Sequence, residues 1–161
     1  MKMLAALSAG AFVPATRAAR REKLISKPIP SSGEAMPVIG LGSSRTFNVG
    51  DDIAARNTCA GVIWHFLDAG GRMIDSSPMY GSSQPVIGYA LDKLGRPDGV
   101  FSADKVWIRA TDEGRQQMEA SRRYWGVPGF DLMQVHNLVS WQEHLETLYE
   151  MKAAGNIRYI G

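Results

Sequence analysis

Residues 130–160 read FDLMQVHNLVSWQEHLETLYEMKAAGNIRYI, and this stretch contains a complete strand–helix–strand unit. Phe130–Val135 is a nearly continuous apolar run with the length of a buried strand. Ser140-Trp-Gln-Glu143 fits a capping box, Gly155 ends the helix that follows it, and Ile157–Ile160 is a second short strand. The helix repeats apolar side chains at one-face spacing: Leu145, Leu148 and Met151. Parallel strands need a crossover of this kind, so the stretch predicts a βαβ unit.

The same alternation extends towards the N-terminus as far as residue 36. Apolar strand-like runs lie at 37–42, 73–75 and 100–107. The intervening segments have helical spacing and end at glycines. Their predicted starts are Asp51, Ser82 or Ser83, and Thr111 or Asp112, and their predicted ends are Gly70, Gly95 and Gly126. Five short strands separated by helices predict an α/β fold built on a parallel sheet.

Two architectures fit this order of elements. A doubly wound open sheet is completed in roughly this length, whereas a (β/α)8 barrel typically needs about 250 residues, so five strands would form only its first half. Periodicity does not distinguish them. In both architectures the functional side chains lie at the carboxyl ends of the strands.

Polar residues follow or interrupt the predicted strands at such ends. Asp75 and Tyr80 lie on the loop after the second strand, Lys105 lies within the third, and His136 follows the fourth. Each has an ordinary structural explanation: a turn cap, a packed surface tyrosine, a snorkelling edge lysine and a satisfied core histidine. Lys105 fits its explanation least well, because a buried ammonium is costly unless it is paired.

Three other motifs indicate little. The run Gly40-Leu-Gly42-Ser-Ser-Arg45 lacks the third glycine of a dinucleotide-binding fingerprint. His136 and His144 do not have the spacing of metal ligands, and Cys59 sits in mid-helix as a small apolar side chain. We therefore predict no metal site.

Several segments together resemble the aldo-keto reductase superfamily. They are Pro37-Val-Ile-Gly-Leu-Gly-Ser43, Ile74-Asp-Ser-Ser-Pro-Met-Tyr-Gly-Ser-Ser83, Lys105-Val-Trp107, Asp131-Leu-Met-Gln-Val-His-Asn137 and the final LYEMKAAGNIRYIG at 148–161. The resemblance runs from about Pro37 to Gly161 and predicts a domain over 36–161. It implies the first half of a (β/α)8 TIM barrel, with about five βα strands. It also implies an NADP(H)-dependent oxidoreductase that reduces aldehydes and ketones to alcohols.

The family's catalytic tetrad falls on Asp75, Tyr80, Lys105 and His136. By resemblance, Tyr80 is the general acid that protonates the carbonyl oxygen as hydride arrives from nicotinamide. A free phenol has a pKa of about 10, so a neighbouring ammonium, held by Asp75, helps by stabilising the phenolate. His136 orients the carbonyl oxygen by donating a hydrogen bond. Gly42, Ser43 and Ser44, together with Asp75, are the expected cofactor contacts.

The chain also departs from the family pattern. The loops that grip most of the cofactor follow later strands, so we expect this chain to be a fragment that alone binds NADPH poorly and reduces little. Open sheet edges give it a route to self-association. Asp104 stands where a threonine is common. The substrate is a small carbonyl compound of unspecified identity, in an apolar pocket near Phe47, Trp107 and Trp141.

Two other function classes stay open at this stage. One is a non-catalytic cofactor-binding or interaction subunit with the same fold. The other is an unrelated open α/β enzyme or ligand-binding protein in which Lys105 and His136 are structural. A partner-dependent gain of solubility would favour the first, and activity that survives loss of Lys105 or His136 would favour the second.

The composition and the N-terminal segment limit the partners and compartments that the sequence predicts. The 161 residues carry 18 Lys and Arg against 16 Asp and Glu, scattered along the chain, which argues against a nucleic-acid surface. Residues 1–35 are predicted as a leader and linker, with Pro28 to Gly33 as the linker. The apolar run at 3–13 is too short to span a membrane. If residues 3–18 are a signal segment, the protein is exported or periplasmic; otherwise it is cytoplasmic.

Overall fold

A five-stranded parallel sheet and four α-helices form the framework of residues 24–161, the part of the chain that a computed structural model describes. A short antiparallel hairpin comes first, formed by β1 (Ser26–Pro28) and β2 (Ala35–Pro37). The sheet strands are β3 (Leu41–Gly42), β4 (Met73–Asp75), β5 (Phe101–Val106), β6 (Phe130–Val135) and β7 (Ile157–Ile160). The helices are α1 (Ile53–Asp68), α2 (Ser83–Lys93), α3 (Thr111–Trp125) and α4 (Trp141–Ala153).

The order of the strands decides between the two architectures. The sheet runs β3-β4-β5-β6-β7 in sequence order, and every neighbouring pair is parallel. A doubly wound sheet reverses its strand order at a switch point, whereas this sheet never does. Right-handed crossovers between successive strands place all four helices on one face, as in a barrel. The predicted first half of a (β/α)8 barrel is confirmed.

The core lies between the sheet and the helices. Its largest fully buried side chains include Ile63, Ile74, Ile87, Met118, Trp125 and Leu148. Trp125 of α3 packs edge-on against Phe130 of β6, with ring centroids 5.6 Å apart. Helices α2 and α3 meet most closely at Gly88, where a Cβ atom would lie 1.8 Å from the carbonyl oxygen of Tyr124. Any larger residue at position 88 would therefore push the two helices apart.

The segment predicted as a linker is instead the turn of the hairpin. Residues 26–28 pair with residues 35–37, and the backbone N–H groups of Ser32 and Gly33 both donate to the Ile29 carbonyl. Glu34 then fastens the hairpin to the sheet, because its carboxylate accepts from Arg72, Arg158 and Tyr159. Prolines and glycine mark a tight turn as readily as a flexible connection, and here the turn forms.

Three local predictions need correction. The run at 37–42 contains two short strands in different sheets, separated by exposed residues 38–40. The cap of α1 is Asp52, whose side chain accepts from the Ala55 N–H, whereas Asp51 pairs with Arg56. The capping box at Ser140 does not form, because Ser140 has a left-handed backbone (φ 48°, ψ 42°) and its side chain caps nothing.

The predicted signal segment lies outside the described residues. Residues 1–23, which include 3–18, have no structural description. Across residues 24–161, each helix is too short or too polar to cross a bilayer.

Candidate active site

The carboxyl ends of β4, β5 and β6 bring three of the four predicted catalytic residues to one edge of the sheet. Asp75 is the last residue of β4, Lys105 is the penultimate residue of β5, and His136 directly follows β6. The parallel register aligns Asp75 with Ala103 and Lys105 with Gln134. Tyr80 lies on the loop between β4 and α2. The four side chains therefore meet above the same edge.

Lys105 and Asp75 form the charged centre of this cluster. The Lys105 Nζ atom lies 2.6 Å from each Asp75 carboxylate oxygen and 2.8 Å from the Ser76 carbonyl oxygen. The lysine side chain is 12% exposed and the aspartate side chain 31%. β5 is flanked by β4 and β6, so Lys105 is not on an edge strand. The costly burial of the ammonium is offset by a carboxylate within direct contact.

Tyr80 and His136 lie beside this ion pair. The Lys105 Nζ atom is 5.3 Å from the centre of the Tyr80 ring. The Tyr80 and His136 rings meet edge to face, with centroids 5.6 Å apart. Both side chains are half-buried, and within residues 24–161 the Tyr80 hydroxyl makes no hydrogen bond. It is therefore free to bond to a substrate.

The surroundings of His136 lower the pKa of its imidazole and so favour the neutral form. Burial lowers its pKa below 6.5, the nearby Lys105 ammonium lowers it further, and Asp75 opposes them. A hydroxyl that sequence reasoning did not single out, Ser77 Oγ, lies 2.6 Å from His136 Nδ1. Ser77 is the fourth residue of the quoted 74–83 segment, but no spacing rule links it to a histidine 59 residues away.

The residues predicted to contact the cofactor differ in their exposure to solvent. Gly42 and Ser44 are exposed, and open space surrounds the position of a Cβ atom on Gly42. Ser43 is fully buried, and its hydroxyl donates to the Asp75 carbonyl at 2.8 Å. Its own carbonyl accepts from the Ser83 hydroxyl at 2.9 Å. Ser43 thus ties the end of β3 to β4 and α2, and its hydroxyl is not available to a ligand.

The predicted apolar pocket is wrong in one member. Phe47 is 1% exposed and belongs to the core under α1 and α2. Trp107 is 39% exposed and lies beside His136, with ring centroids 6.3 Å apart. Trp141 is exposed at the start of α4. Sequence alone does not tell whether an aromatic residue on a loop faces the core or the site.

Asp104 points away from the site, as the alternation of strand side chains requires. It is fully buried between the sheet and the helices, where its carboxylate accepts from Gln84 Nε2 at 2.9 and 3.1 Å. Its Oδ1 atom also accepts from the Lys105 backbone N–H at 2.7 Å. Gln84 is bonded in turn to Ser121 at 2.7 Å. Burial raises the pKa of Asp104 to about 6, although these bonds oppose the rise.

Asp104 should make the protein more stable as the pH falls from 7 to 5. The folded state has the higher pKa, about 6 against 3.8, so it binds the proton more tightly than the unfolded state does. Stability from this group is full below pH 3.8 and is lost as the pH rises through about 6. We expect the free energy of unfolding, measured in urea, to rise by about 1 kcal/mol between pH 7 and pH 5 relative to an Asp104→Asn variant. Parallel pH profiles for the two proteins would contradict this expectation.

Comparison with known proteins adds independent findings. The model of the aldo/keto reductase family matches residues 38–161. The chain is 31% identical over 151 residues to the aldo-keto reductase YhdN of Bacillus subtilis, covering 83% of this chain and 45% of that protein. It is 29% identical over 142 residues to the methylglyoxal reductase YeaE of Escherichia coli, covering 84% and 48%.

The solved structures give the same result. The fold matches an aldo-keto reductase from Klebsiella pneumoniae in complex with NADPH, with a TM-score of 0.70, 26% identity, and coverage of 86% of this chain and 49% of that one. The chain thus spans about a third to a half of the length of the curated relatives it matches.

Proposed function

Because this chain belongs to the aldo/keto reductase family, we propose that it carries the catalytic half of an NADP(H)-dependent oxidoreductase that reduces aldehydes and ketones to alcohols. The observation that supports this most strongly is the Lys105–Asp75 ion pair, with Tyr80 and His136 packed beside it. The Lys105 ammonium lies 5.3 Å from the centre of the Tyr80 ring, and the Tyr80 hydroxyl makes no hydrogen bond among residues 24–161. Perturbed and paired titratable groups at the carboxyl edge of a barrel are characteristic of a catalytic site.

Each of the four side chains has its own role in the reduction of a carbonyl group. When bound, the nicotinamide cofactor supplies the hydride for the carbonyl carbon. Tyr80 donates its hydroxyl proton to the carbonyl oxygen, and Lys105 stabilises the phenolate that remains. Asp75 holds the ammonium in place through two 2.6 Å contacts. The lowered pKa of His136 favours a neutral imidazole, which donates a hydrogen bond to the carbonyl oxygen.

The cofactor site is proposed on the open side of β3 and β4. Gly42 and Ser44 are exposed and Asp75 is partly exposed, which leaves space for the nicotinamide end of the cofactor. Ser43 holds the loop after β3 against β4. NADP(H) is the proposed cofactor because the Klebsiella pneumoniae structure contains NADPH, while fungal relatives are named NAD(P)H-dependent D-xylose reductases. The substrate proposed is a small aldehyde or ketone, which matches the activity named for the Escherichia coli relative.

The proposal is tested by aldehyde-dependent oxidation of NADPH in two proteins. One is this 161-residue chain. The other is a completed barrel, in which the later strands of the Bacillus subtilis relative are fused after Gly161. We expect saturable NADPH binding, followed by nicotinamide fluorescence, and turnover with a reactive aldehyde in the completed barrel. We expect weak binding and little turnover in the 161-residue chain.

Folding of both proteins is checked by circular dichroism, so that an unfolded sample is not mistaken for an inactive one. A folded completed barrel that binds NADPH and reduces no aldehyde would contradict the proposed reaction. Full turnover by the 161-residue chain would contradict only the expectation that it is inactive alone.

A further inference from the structure

The hydrogen bond between Ser77 and His136 determines which nitrogen of the imidazole carries the hydrogen. Ser77 is fully buried, and its Oγ atom lies 2.6 Å from His136 Nδ1. The same Oγ atom accepts a second bond, from the Met79 backbone N–H at 3.2 Å. Since the β4–α2 loop holds Ser77 and the end of β6 holds His136, the bond joins two loops that both carry predicted catalytic residues.

The direction of this bond follows from counting donors and acceptors. A serine hydroxyl has one hydrogen to donate. If His136 Nδ1 carried a hydrogen and donated it to Ser77, the hydroxyl hydrogen would need another acceptor. Among residues 24–161 the Ser77 hydroxyl has no other acceptor for its hydrogen, since its remaining partner, the Met79 N–H, is a donor, and complete burial excludes bulk water. Leaving that hydrogen unpaired would cost free energy, so the hydroxyl donates and Nδ1 accepts.

The other nitrogen of the ring then takes the hydrogen. A neutral imidazole has one donor and one acceptor nitrogen, so acceptance at Nδ1 places the hydrogen on Nε2. Within the described residues, Nε2 has no hydrogen-bond partner. The ring lies between Tyr80 and Trp107, at centroid distances of 5.6 and 6.3 Å. The unbonded Nε2–H group belongs to a ring that packs against the proposed general acid, and it is available to donate to a substrate.

We propose that Ser77 is a positioning residue, which donates to Nδ1 and thereby holds His136 as the tautomer whose Nε2–H can bond the substrate oxygen. The importance of this bond for catalysis rests on the proposed function, whereas the tautomer itself does not. Without Ser77, either nitrogen of the ring can carry the hydrogen, and the fraction with it on Nδ1 cannot donate from Nε2.

The tautomer is measured by nitrogen NMR of the 161-residue chain labelled with ¹⁵N-histidine, at a pH well above the histidine range. The chain has three histidines, and a His136→Ala variant assigns the signals of this one. We expect wild-type Nδ1 to show the signal of an unprotonated nitrogen and Nε2 that of a protonated one. In Ser77→Ala the two nitrogen shifts should move towards each other, because both tautomers become populated. Ser77→Thr, which keeps the hydroxyl, should retain the wild-type pattern.

Ser102→Ala is the matched control. It removes another buried serine hydroxyl, at the opposite end of β5, and should leave the His136 signals unchanged. A protonated Nδ1 in the wild type would overturn the proposal, and this result does not depend on the folding of Ser77→Ala. Identical His136 signals in the wild type and Ser77→Ala would overturn it as well.

The catalytic consequence is measured separately in the completed barrel. Ser77→Ala should lower kcat, with KM little changed, by at most the about 10²–10³-fold that loss of one oxyanion donor costs. Ser77→Thr should restore the rate. An inactive wild-type barrel with the expected tautomer would reject the proposed function alone, whereas full activity of Ser77→Ala would reject the positioning role alone.

Discussion

Replacing Tyr80 by phenylalanine in the completed barrel is expected to slow aldehyde reduction by about 10²–10⁴-fold, the usual contribution of a general acid. The substitution removes one oxygen atom that makes no hydrogen bond among residues 24–161, so the fold has little reason to change. The Tyr80 ring, which packs against His136, is retained. The loss should therefore appear in kcat, while NADPH binding remains close to that of the wild type.

Tyr89→Phe is the matched control for this substitution. Tyr89 lies on α2, and its hydroxyl donates to Asn57 on α1, away from the site. Its removal should leave the rate within a small factor of the wild type. A Tyr80→Phe variant that reduces aldehydes at the wild-type rate would mean that another group, such as water, supplies the proton.

Replacing Lys105 by methionine is expected to affect both the rate and the stability. Methionine keeps the length of the side chain but removes the charge that stabilises the Tyr80 phenolate, so we expect a loss in kcat of the same order, about 10²–10⁴-fold. It also leaves the Asp75 carboxylate without its partner. The cost in unfolding free energy should stay below the about 3–5 kcal/mol of a fully buried pair, because the Asp75 side chain is 31% exposed.

A double variant tests whether Asp75 affects the rate only through Lys105. If Asp75 acts mainly through Lys105, then Lys105→Met combined with Asp75→Asn should be no slower than Lys105→Met alone. Lys93→Met, on the exposed end of α2, serves as the control for loss of a lysine. Additive losses in the double variant would show that Asp75 has a separate role, for example in holding the cofactor.

Much of the fold could be predicted because its strands and helices have clear periods. Strands β6 and β7 have the predicted bounds. β6 is a largely apolar run paired with a strand on each side, and β7 is a short strand bounded by Gly155 and Gly161. What periodicity could not supply was the order of strands in space. The consecutive order, which separates a barrel from a doubly wound sheet, depends on contacts between elements far apart in the chain.

The site was predictable to the extent that its residues follow strands. Lys105 stood out because a charge in a buried strand requires a partner, and Asp75 is that partner in space. Ser77 was missed because its role depends on a residue 59 positions away, and Ser140 misled because its left-handed backbone prevents the capping that its sequence suggests. The hydrogen bonds that a serine hydroxyl makes depend on backbone geometry, which the spacing of residues in the sequence does not determine.

The central claim is that the cluster at the carboxyl edge of the sheet catalyses the reduction of a carbonyl group by hydride from NADPH, with Tyr80 as the acid. The most direct test supplies NADPH deuterated at the transferring carbon to the completed barrel with an aldehyde, and follows the alcohol by mass spectrometry. Wild-type and Tyr80→Phe proteins are purified in the same way. We expect alcohol with one deuterium on the former carbonyl carbon from the wild type, and its formation at least about 10²-fold more slowly in the variant. Equal formation of labelled alcohol by both proteins, or none by a wild type that binds NADPH, would contradict the claim.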